Sequence, residues 1–120
     1  MKIGFIGLGN VGSKLSGSLL RNGFDVSVYD LSSQLMVEFA KKGAKIGENP
    51  EHLMNVCDTI ITCLPSPAAS NMVMQKMLPF VKEGKTWLEM STTDDAEVKR
   101  LGAEVISRGG KAVDCPVSGG

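Results

Sequence analysis

Three glycines near the N-terminus have a spacing that suits phosphate binding. The run Gly7-Leu8-Gly9-Asn10-Val11-Gly12 follows a short apolar stretch and has the pattern G-x-G-x-x-G. In this pattern the first glycine permits a tight turn, the second lets the main chain approach a pyrophosphate, and the third brings a helix close to a strand. The N-terminus of that helix presents free N–H groups and partial positive charge. Residues 7–12 therefore predict a dinucleotide site.

An acidic residue, Asp30, follows the next strand-like run. At the end of a second strand its carboxylate can accept hydrogen bonds from both hydroxyls of an adenosine ribose. A 2′-phosphate would be repelled, since two unit charges about 4 Å apart interact by roughly 4 kcal/mol at an effective dielectric constant near 20. The next residues, Leu31 and Ser32, supply no cation. We therefore assign Asp30, Leu31 and Ser32 to the cofactor and expect NAD to be preferred to NADP, the alternative for Asp30 being a solvated helix-capping acid.

Three later segments also follow strand-like runs. The apolar turn Cys63-Leu64-Pro65 could cover the ribose or nicotinamide end of a dinucleotide, or could simply terminate a strand at a proline. The hydroxyls of Ser91-Thr92-Thr93 suit either a ligand or a helix cap. The segment Ser118-Gly119-Gly120 would expose backbone N–H groups, which form an anion-binding nest for a carboxylate.

Cysteine and histidine patterns give no metal-binding motif. Cys57, Cys63 and Cys115 lack C-x-x-C spacing, and the single histidine, His52, is not in register with them. We expect no metal site, a surface position for His52, and buried, reduced thiols. A reactive Cys115 is the alternative for one of the three.

Composition excludes several other classes of protein. The chain has 120 residues, enough for one compact domain, and equal numbers of basic and acidic residues (13 each) give a formal net charge of +0. Without a basic field we expect no nucleic-acid partner. We expect no membrane partner either, because no apolar stretch approaches the roughly 18 residues needed to span a bilayer and no signal-peptide pattern is present. The cytoplasm is the expected location.

Strand-like and helix-like segments alternate along the whole chain. Strands are predicted at 2–7, 24–29, 44–46, 59–64, 85–89 and 111–114, and helices at 11–21 and beginning near residues 32, 50, 70 and 94. This alternation favours an α/β fold: a doubly wound, Rossmann-type parallel sheet with helices on both faces. Ligands of such sheets bind at the carboxyl ends of the strands, where the residues named above lie. We also expect Met72, Met74 and Met77 to form an exposed apolar helix face.

Four motifs, in this order and spacing, resemble the β-hydroxyacid dehydrogenases, which include 3-hydroxyisobutyrate dehydrogenase and tartronate semialdehyde reductase. They are residues 4–12, Leu64-Pro65-Ser66, Ser91-Thr92, and Asp114 followed by Pro116-Val117-Ser118-Gly119-Gly120. The resemblance implies that residues 7–12 bind a nicotinamide dinucleotide and that Cys63, Leu64, Pro65 and Thr92 line its nicotinamide half. It also implies that Ser91, Ser118, Gly119 and Gly120 hold the carboxylate of a small hydroxy acid.

The resemblance also implies what lies outside this chain. The family's catalytic lysine belongs to a helical domain, so we expect it beyond Gly120, no catalytic residue within 1–120, and a homo-oligomeric full-length enzyme. Residues 1–120 would then be a dinucleotide-binding domain that is inactive by itself. Two departures from the family are Val11, where methionine is usual, and Cys115, where alanine is common. Alternatives are a 6-phosphogluconate dehydrogenase, a glyoxylate or imine reductase, or a stand-alone dinucleotide sensor like the regulatory domains of potassium transport systems.

Overall fold

A computed structural model describes residues 1–91 and 95–115 of the chain. The predictions for Thr92, Thr93, Asp94 and residues 116–120 lie outside the described residues. The strands are β1 (Lys2–Ile6), β2 (Asp25–Tyr29), β3 (Lys45–Ile46), β4 (Thr59–Thr62), β5 (Thr86–Glu89) and β6 (Lys111–Asp114). The helices are α1 (Asn10–Arg21), α2 (Ser33–Lys41), α3 (Pro50–Val56), α4 (Pro67–Met77) and α5 (Asp95–Ser107), and a 3-10 turn, Leu78–Phe80, follows α4.

The six strands form one parallel sheet in the order β3-β2-β1-β4-β5-β6. This order confirms the predicted doubly wound fold. At the centre, Phe5 of β1 lies opposite Val28 of β2 and Ile61 of β4. The chain reverses its winding direction between β1 and β4, which places a crevice at the carboxyl ends of these two strands.

A hydrophobic layer lies on each face of the sheet. Helices α1 and α2 cover one layer, whose buried members include Ile3, Phe5, Val26, Val28, Phe39 and Ile61. Helices α3, α4 and α5 cover the other, which includes Ile6, Leu53, Ile60, Met74, Met77, Trp87 and Leu101. Strands buried on both faces read as nearly continuous apolar runs, which is why β1 and β4 were recognisable in the sequence.

Capping residues mark the starts of α2 and α3 and the end of α1, close to the positions predicted from the sequence. The Ser32 hydroxyl accepts the Leu35 amide at 3.3 Å and caps α2, while the Asn49 side chain accepts the His52 amide at 2.7 Å and caps α3. Helix α1 ends at Arg21, and Gly23 follows with a φ of +82°. A left-handed residue directly after a helix is the usual position for glycine.

Three predictions about the β4–α4 region were wrong in detail. Strand β4 ends at Thr62, and α4 begins at Pro67 rather than at Ser70. The Ser66 hydroxyl caps α4 by accepting the Ala69 amide at 3.1 Å, so Pro67 occupies the first helical turn, where its missing N–H is not needed. Met74 and Met77 are completely buried and only Met72 is exposed, because residues two apart on a helix point in different directions.

Candidate functional site

A cleft of about 670 Å³ opens at the carboxyl ends of β1, β2 and β4. This volume is in the range of cofactor and ligand pockets. It brings together eleven of the residues that the sequence predicted for the site: Gly7, Gly9, Asn10, Val11, Gly12, Asp30, Leu31, Cys63, Leu64, Pro65 and Ser91. These residues come from four separate segments, and the strand order alone makes them neighbours.

The three glycines of the loop between β1 and α1 have different surroundings. Gly7 has a φ of +103°, and a Cβ there would strike the carbonyl oxygen of Cys63. A Cβ on Gly12 would strike the carbonyl oxygen of Gly7, so the helix could not approach the turn as closely. At Gly9 a Cβ would meet no protein atom within 4 Å. Gly7 and Gly12 are thus required by the fold, whereas the open space at Gly9 suits a bound group.

The N-terminus of α1 faces this space without a side-chain cap. Gly9 is the N-cap residue, and no side chain in the described ranges accepts a hydrogen bond from the first turn of α1. A helix N-terminus of this kind has N–H groups and partial positive charge available to an anion. The loop therefore fits the pyrophosphate of a dinucleotide.

Asp30 joins the glycine loop to the end of β2. One carboxylate oxygen, Oδ2, accepts the Leu8 amide at 2.7 Å, and the other, Oδ1, accepts the Ser32 amide at 2.8 Å. Each carboxylate oxygen has two lone pairs, so both can accept a further hydrogen bond. Asp30 is therefore a structural link as well as a candidate ribose ligand, and it is Ser32, not Asp30, that caps α2.

Two of the predicted cofactor residues do not line the cleft. The Leu8 side chain is 1% exposed and belongs to the core beneath α1 and α2. Ser32 caps α2 and donates its amide to Asp30. Leu8 thus packs beneath the loop, and Ser32 acts through Asp30, which accepts the amides of both residues. Leu31, in contrast, is 95% exposed at the rim of the cleft.

The opposite side of the cleft is built from the ends of β4 and β5. The Ser91 hydroxyl is buried, accepts the Leu64 amide at 2.6 Å and lies 3.4 Å from the Thr62 carbonyl oxygen, to which it can donate. Ser91 thereby connects the two loops. Its hydroxyl is engaged by the protein, although the residue lines the cleft.

One wall of the cleft was missed by the sequence reasoning. Helix α4 contributes Ala69, Met72, Val73 and Lys76, which lie on one helical face. The signal that could have indicated this face is the spacing within the predicted helix, where Lys76 follows Val73 by three residues and Met72 by four. Tyr29, Leu35, Pro50, Ile6 and Met90 complete the lining. Lys76 is exposed and also borders the cleft.

The thiols differ in accessibility. Cys57 is buried and Cys63 is half-buried; burial raises the pKa of both thiols, and the Glu89 carboxylate adds to the effect at Cys63. Cys115 is exposed, so the prediction that it is buried was wrong. It follows the edge strand β6, where Lys111, Val113 and Asp114 are exposed as well.

Within residues 1–91 and 95–115, no group of three or more His, Cys, Asp or Glu side chains has the arrangement of a metal site. None of the helices in the same ranges has the length and apolarity needed to cross a bilayer. His52 lies in α3, where its Nδ1 is 3.4 Å from the Glu48 amide.

The sequence is similar to longer curated proteins. The human cytokine-like nuclear factor N-PAC is 36% identical over 121 residues, which cover 98% of this chain and 22% of that protein. Glyoxylate/succinic semialdehyde reductase 1 of Arabidopsis thaliana is 35% identical, covering 99% of this chain and 42% of that protein. The chain thus spans about a fifth of the first relative and less than half of the second.

Solved structures have the same fold. The 3-hydroxyisobutyrate dehydrogenase of Mycobacterium tuberculosis, determined with L-serine, has a TM-score of 0.90 and 28% identity, covering 99% of this chain and 41% of that one. The 3-hydroxyisobutyrate dehydrogenase of Salmonella typhimurium has a TM-score of 0.92 over 100% of this chain and 43% of that one, at 24% identity. The protein-family model for the NAD binding domain of 6-phosphogluconate dehydrogenase matches residues 2–120 of this sequence. The chain therefore belongs to this family of NAD-binding domains.

Proposed function

We propose that this domain binds NAD in preference to NADP and serves an oxidoreductase that acts on a small β-hydroxy carboxylate. The observation that carries the proposal is the position of Asp30. Its carboxylate lines the cleft at the end of β2 and is held there by the Leu8 and Ser32 amides. A fixed negative charge beside the glycine loop favours ribose hydroxyls and disfavours a 2′-phosphate.

The cofactor would occupy the cleft from β2 across the glycine loop to β4. The open space at Gly9 and the uncapped N-terminus of α1 would receive the pyrophosphate. The apolar Leu64-Pro65 turn would cover the far end. When bound, the nicotinamide ring accepts or gives a hydride, and the protein's part is to bind and orient it.

The substrate class is proposed from the relatives and from the family resemblance. Glyoxylate, succinic semialdehyde and 3-hydroxyisobutyrate, which appear in the names of related proteins, all carry a carboxylate together with a carbonyl or hydroxyl group. We assign Ser91 and residues 118–120 to that carboxylate, and Thr92 to the nicotinamide half. A lysine from a segment C-terminal to residue 120 would be the general acid–base of the full-length enzyme. Residues 1–120 would then bind cofactor without turnover.

The cofactor preference can be tested at Leu31. This side chain is 95% exposed, so a substitution there leaves the packing and the hydrogen bonds of Asp30 in place. In calorimetric titrations at one salt concentration, we expect the native chain to bind NADH at least about tenfold more tightly than NADPH. Leu31→Arg supplies a cation beside the ribose and should reduce this ratio by roughly tenfold, since charge-assisted hydrogen bonds are worth about 1.5–3 kcal/mol.

Leu31→Gln is the matched control, because it places a polar side chain without charge at the same exposed position. It should keep the native ratio. A native chain that binds NADPH as tightly as NADH would contradict the preference for NAD. Failure of the folded native chain to bind either nucleotide would contradict the proposed cofactor role itself.

A further inference from the structure

A buried carboxylate lies directly beneath the β4–β5 side of the cleft. Glu89, the last residue of β5, is 0% exposed, and it is not among the residues that line the cleft. Ionisable groups without solvent are expensive to maintain unless hydrogen bonds compensate. Packing alone therefore does not explain a carboxylate at this position.

The partners of Glu89 belong to two different elements of the site. Oε1 accepts the Ser91 amide at 2.7 Å, and Oε2 lies 3.4 Å from the Ser70 hydroxyl of α4. Ser91 and Ser70 are themselves 3% and 2% exposed. The carboxylate thus connects the loop after β5 with the first turns of α4.

A second hydrogen bond extends this connection to the loop after β4. The Ser91 hydroxyl accepts the Leu64 amide at 2.6 Å and so ties Leu64 to Ser91. Leu64 and Ser91 both line the cleft. Glu89 is therefore connected by hydrogen bonds to two lining residues, although it does not line the cleft itself.

We infer that Glu89 is a positioning residue for the nicotinamide half of the cofactor. This inference rests on the proposed function, which puts the adenosine ribose at Asp30 on the β2 side. Strands β4 and β5 lie on the other side of β1, so the half of the dinucleotide remote from adenosine reaches the Leu64 and Ser91 loops. Glu89 acts through the hydrogen bonds to Ser91 and onward to Leu64.

The contact with Ser91 requires an acceptor oxygen on residue 89. The Ser91 N–H can only donate, and an ionised carboxylate accepts on both of its oxygens. Glu89→Gln preserves the volume but replaces one acceptor by an NH₂ group. Glutamine keeps the hydrogen bond from the Ser91 N–H only with its NH₂ group toward Ser70, where the hydroxyl must then accept instead of donate. We expect this reversal to shift the first turns of α4 relative to the Ser91 loop, while the glycine loop stays in place.

Two ligands separate this effect from a general loss of structure. NADH and ADP-ribose share adenosine and pyrophosphate, but only NADH has a nicotinamide ring. In calorimetric titrations of the 120-residue chain, Glu89→Gln should weaken NADH binding by roughly tenfold and ADP-ribose binding by less than about twofold. Ser91→Ala removes the acceptor for the Leu64 amide and should have the same selective effect.

Thr62→Val is the matched control. It removes the Thr62 hydroxyl that accepts the buried Trp87 indole N–H at 2.9 Å, so it destabilises the same region of the sheet. It leaves the Glu89, Ser91 and Leu64 hydrogen bonds in place. Thr62→Val should therefore lower the unfolding midpoint without changing the ratio of NADH to ADP-ribose affinity.

The outcomes distinguish the inference from the function on which it rests. A selective loss of NADH affinity in Glu89→Gln and Ser91→Ala supports the positioning role. Equal changes for both ligands, or no change, overturn it. If Glu89→Gln does not fold, Ser70→Ala, which removes the Oε2 partner of Glu89 at a residue outside the cleft lining, decides with the same two ligands. Failure of the native chain to bind either ligand overturns the proposed function instead.

Discussion

At the scale of single residues, Gly9 and Gly12 belong to one motif but meet different surroundings. A Cβ on Gly12 would collide with the backbone carbonyl of Gly7, and backbone cannot move aside as a flexible side chain can. A Cβ on Gly9 would enter open space, and the φ of −69° at Gly9 is accessible to any residue. The motif thus contains two glycines that the fold requires, Gly7 and Gly12, and one that the fold does not require, Gly9.

We expect Gly9→Ala to fold with an unfolding free energy within about 0.5 kcal/mol of the native value, and to lose most NADH affinity. Gly12→Ala should lower the unfolding free energy by roughly 2 kcal/mol or more, because the helix and the turn must separate. Chemical denaturation and calorimetric titration of the two variants measure these effects. Strong NADH binding by folded Gly9→Ala would show that the pyrophosphate does not lie against this loop.

At the scale of helices and strands, local signals predicted the elements better than their contacts. Ser32 and the Asn49-Pro50 pair identified two helix starts because the cap and the amide it accepts are only three residues apart. Ser66-Pro67 carries the same signal, but it lies in a run with a second proline at 65 and resembled a simple turn. The misplaced start left only Ala69 of the cleft-bordering face outside the predicted helix, because Met72, Val73 and Lys76 lie within it.

The cap of α4 can be tested by Ser66→Ala. This substitution removes the acceptor for the Ala69 amide, so we expect the unfolding free energy to fall by about 1 kcal/mol. Ser107→Ala is the control, since the exposed Ser107 hydroxyl donates to the Glu104 carbonyl at 2.7 Å and caps no helix N-terminus. Its effect should stay within about 0.5 kcal/mol. Equal urea midpoints for native chain and Ser66→Ala would contradict the assigned cap.

At the scale of the whole molecule, strand order assembled a site that residue patterns could only suggest. The sequence placed Asp30 and the glycine loop at strand ends, and the parallel order put those ends at one edge. The hydrogen bond from the Leu8 amide to Asp30 joins residues far apart in the chain, so no local sequence pattern predicts it. The same holds for Glu89. Its place in a strand predicts nothing unusual, and its contact with Ser70 of α4 arises only in the folded structure.

Because both hydrophobic layers contact one sheet, we expect the domain to unfold as a single cooperative unit. A ligand that binds only the folded state must then stabilise the whole molecule, by about 2.7 kcal/mol at a free concentration one hundred times its Kd. For a chain of this size that corresponds to a rise of roughly 10 °C in Tm.

Differential scanning calorimetry with and without NADH measures this rise, and Gly9→Ala provides the control. The variant should unfold near the native Tm in the absence of NADH and show no comparable rise in its presence. An equal rise in both chains would mean that NADH binds somewhere other than the cleft at the carboxyl ends of β1 and β4. Separate transitions for the two layers would contradict the single cooperative unit, since either layer could then unfold while the sheet between them remained intact.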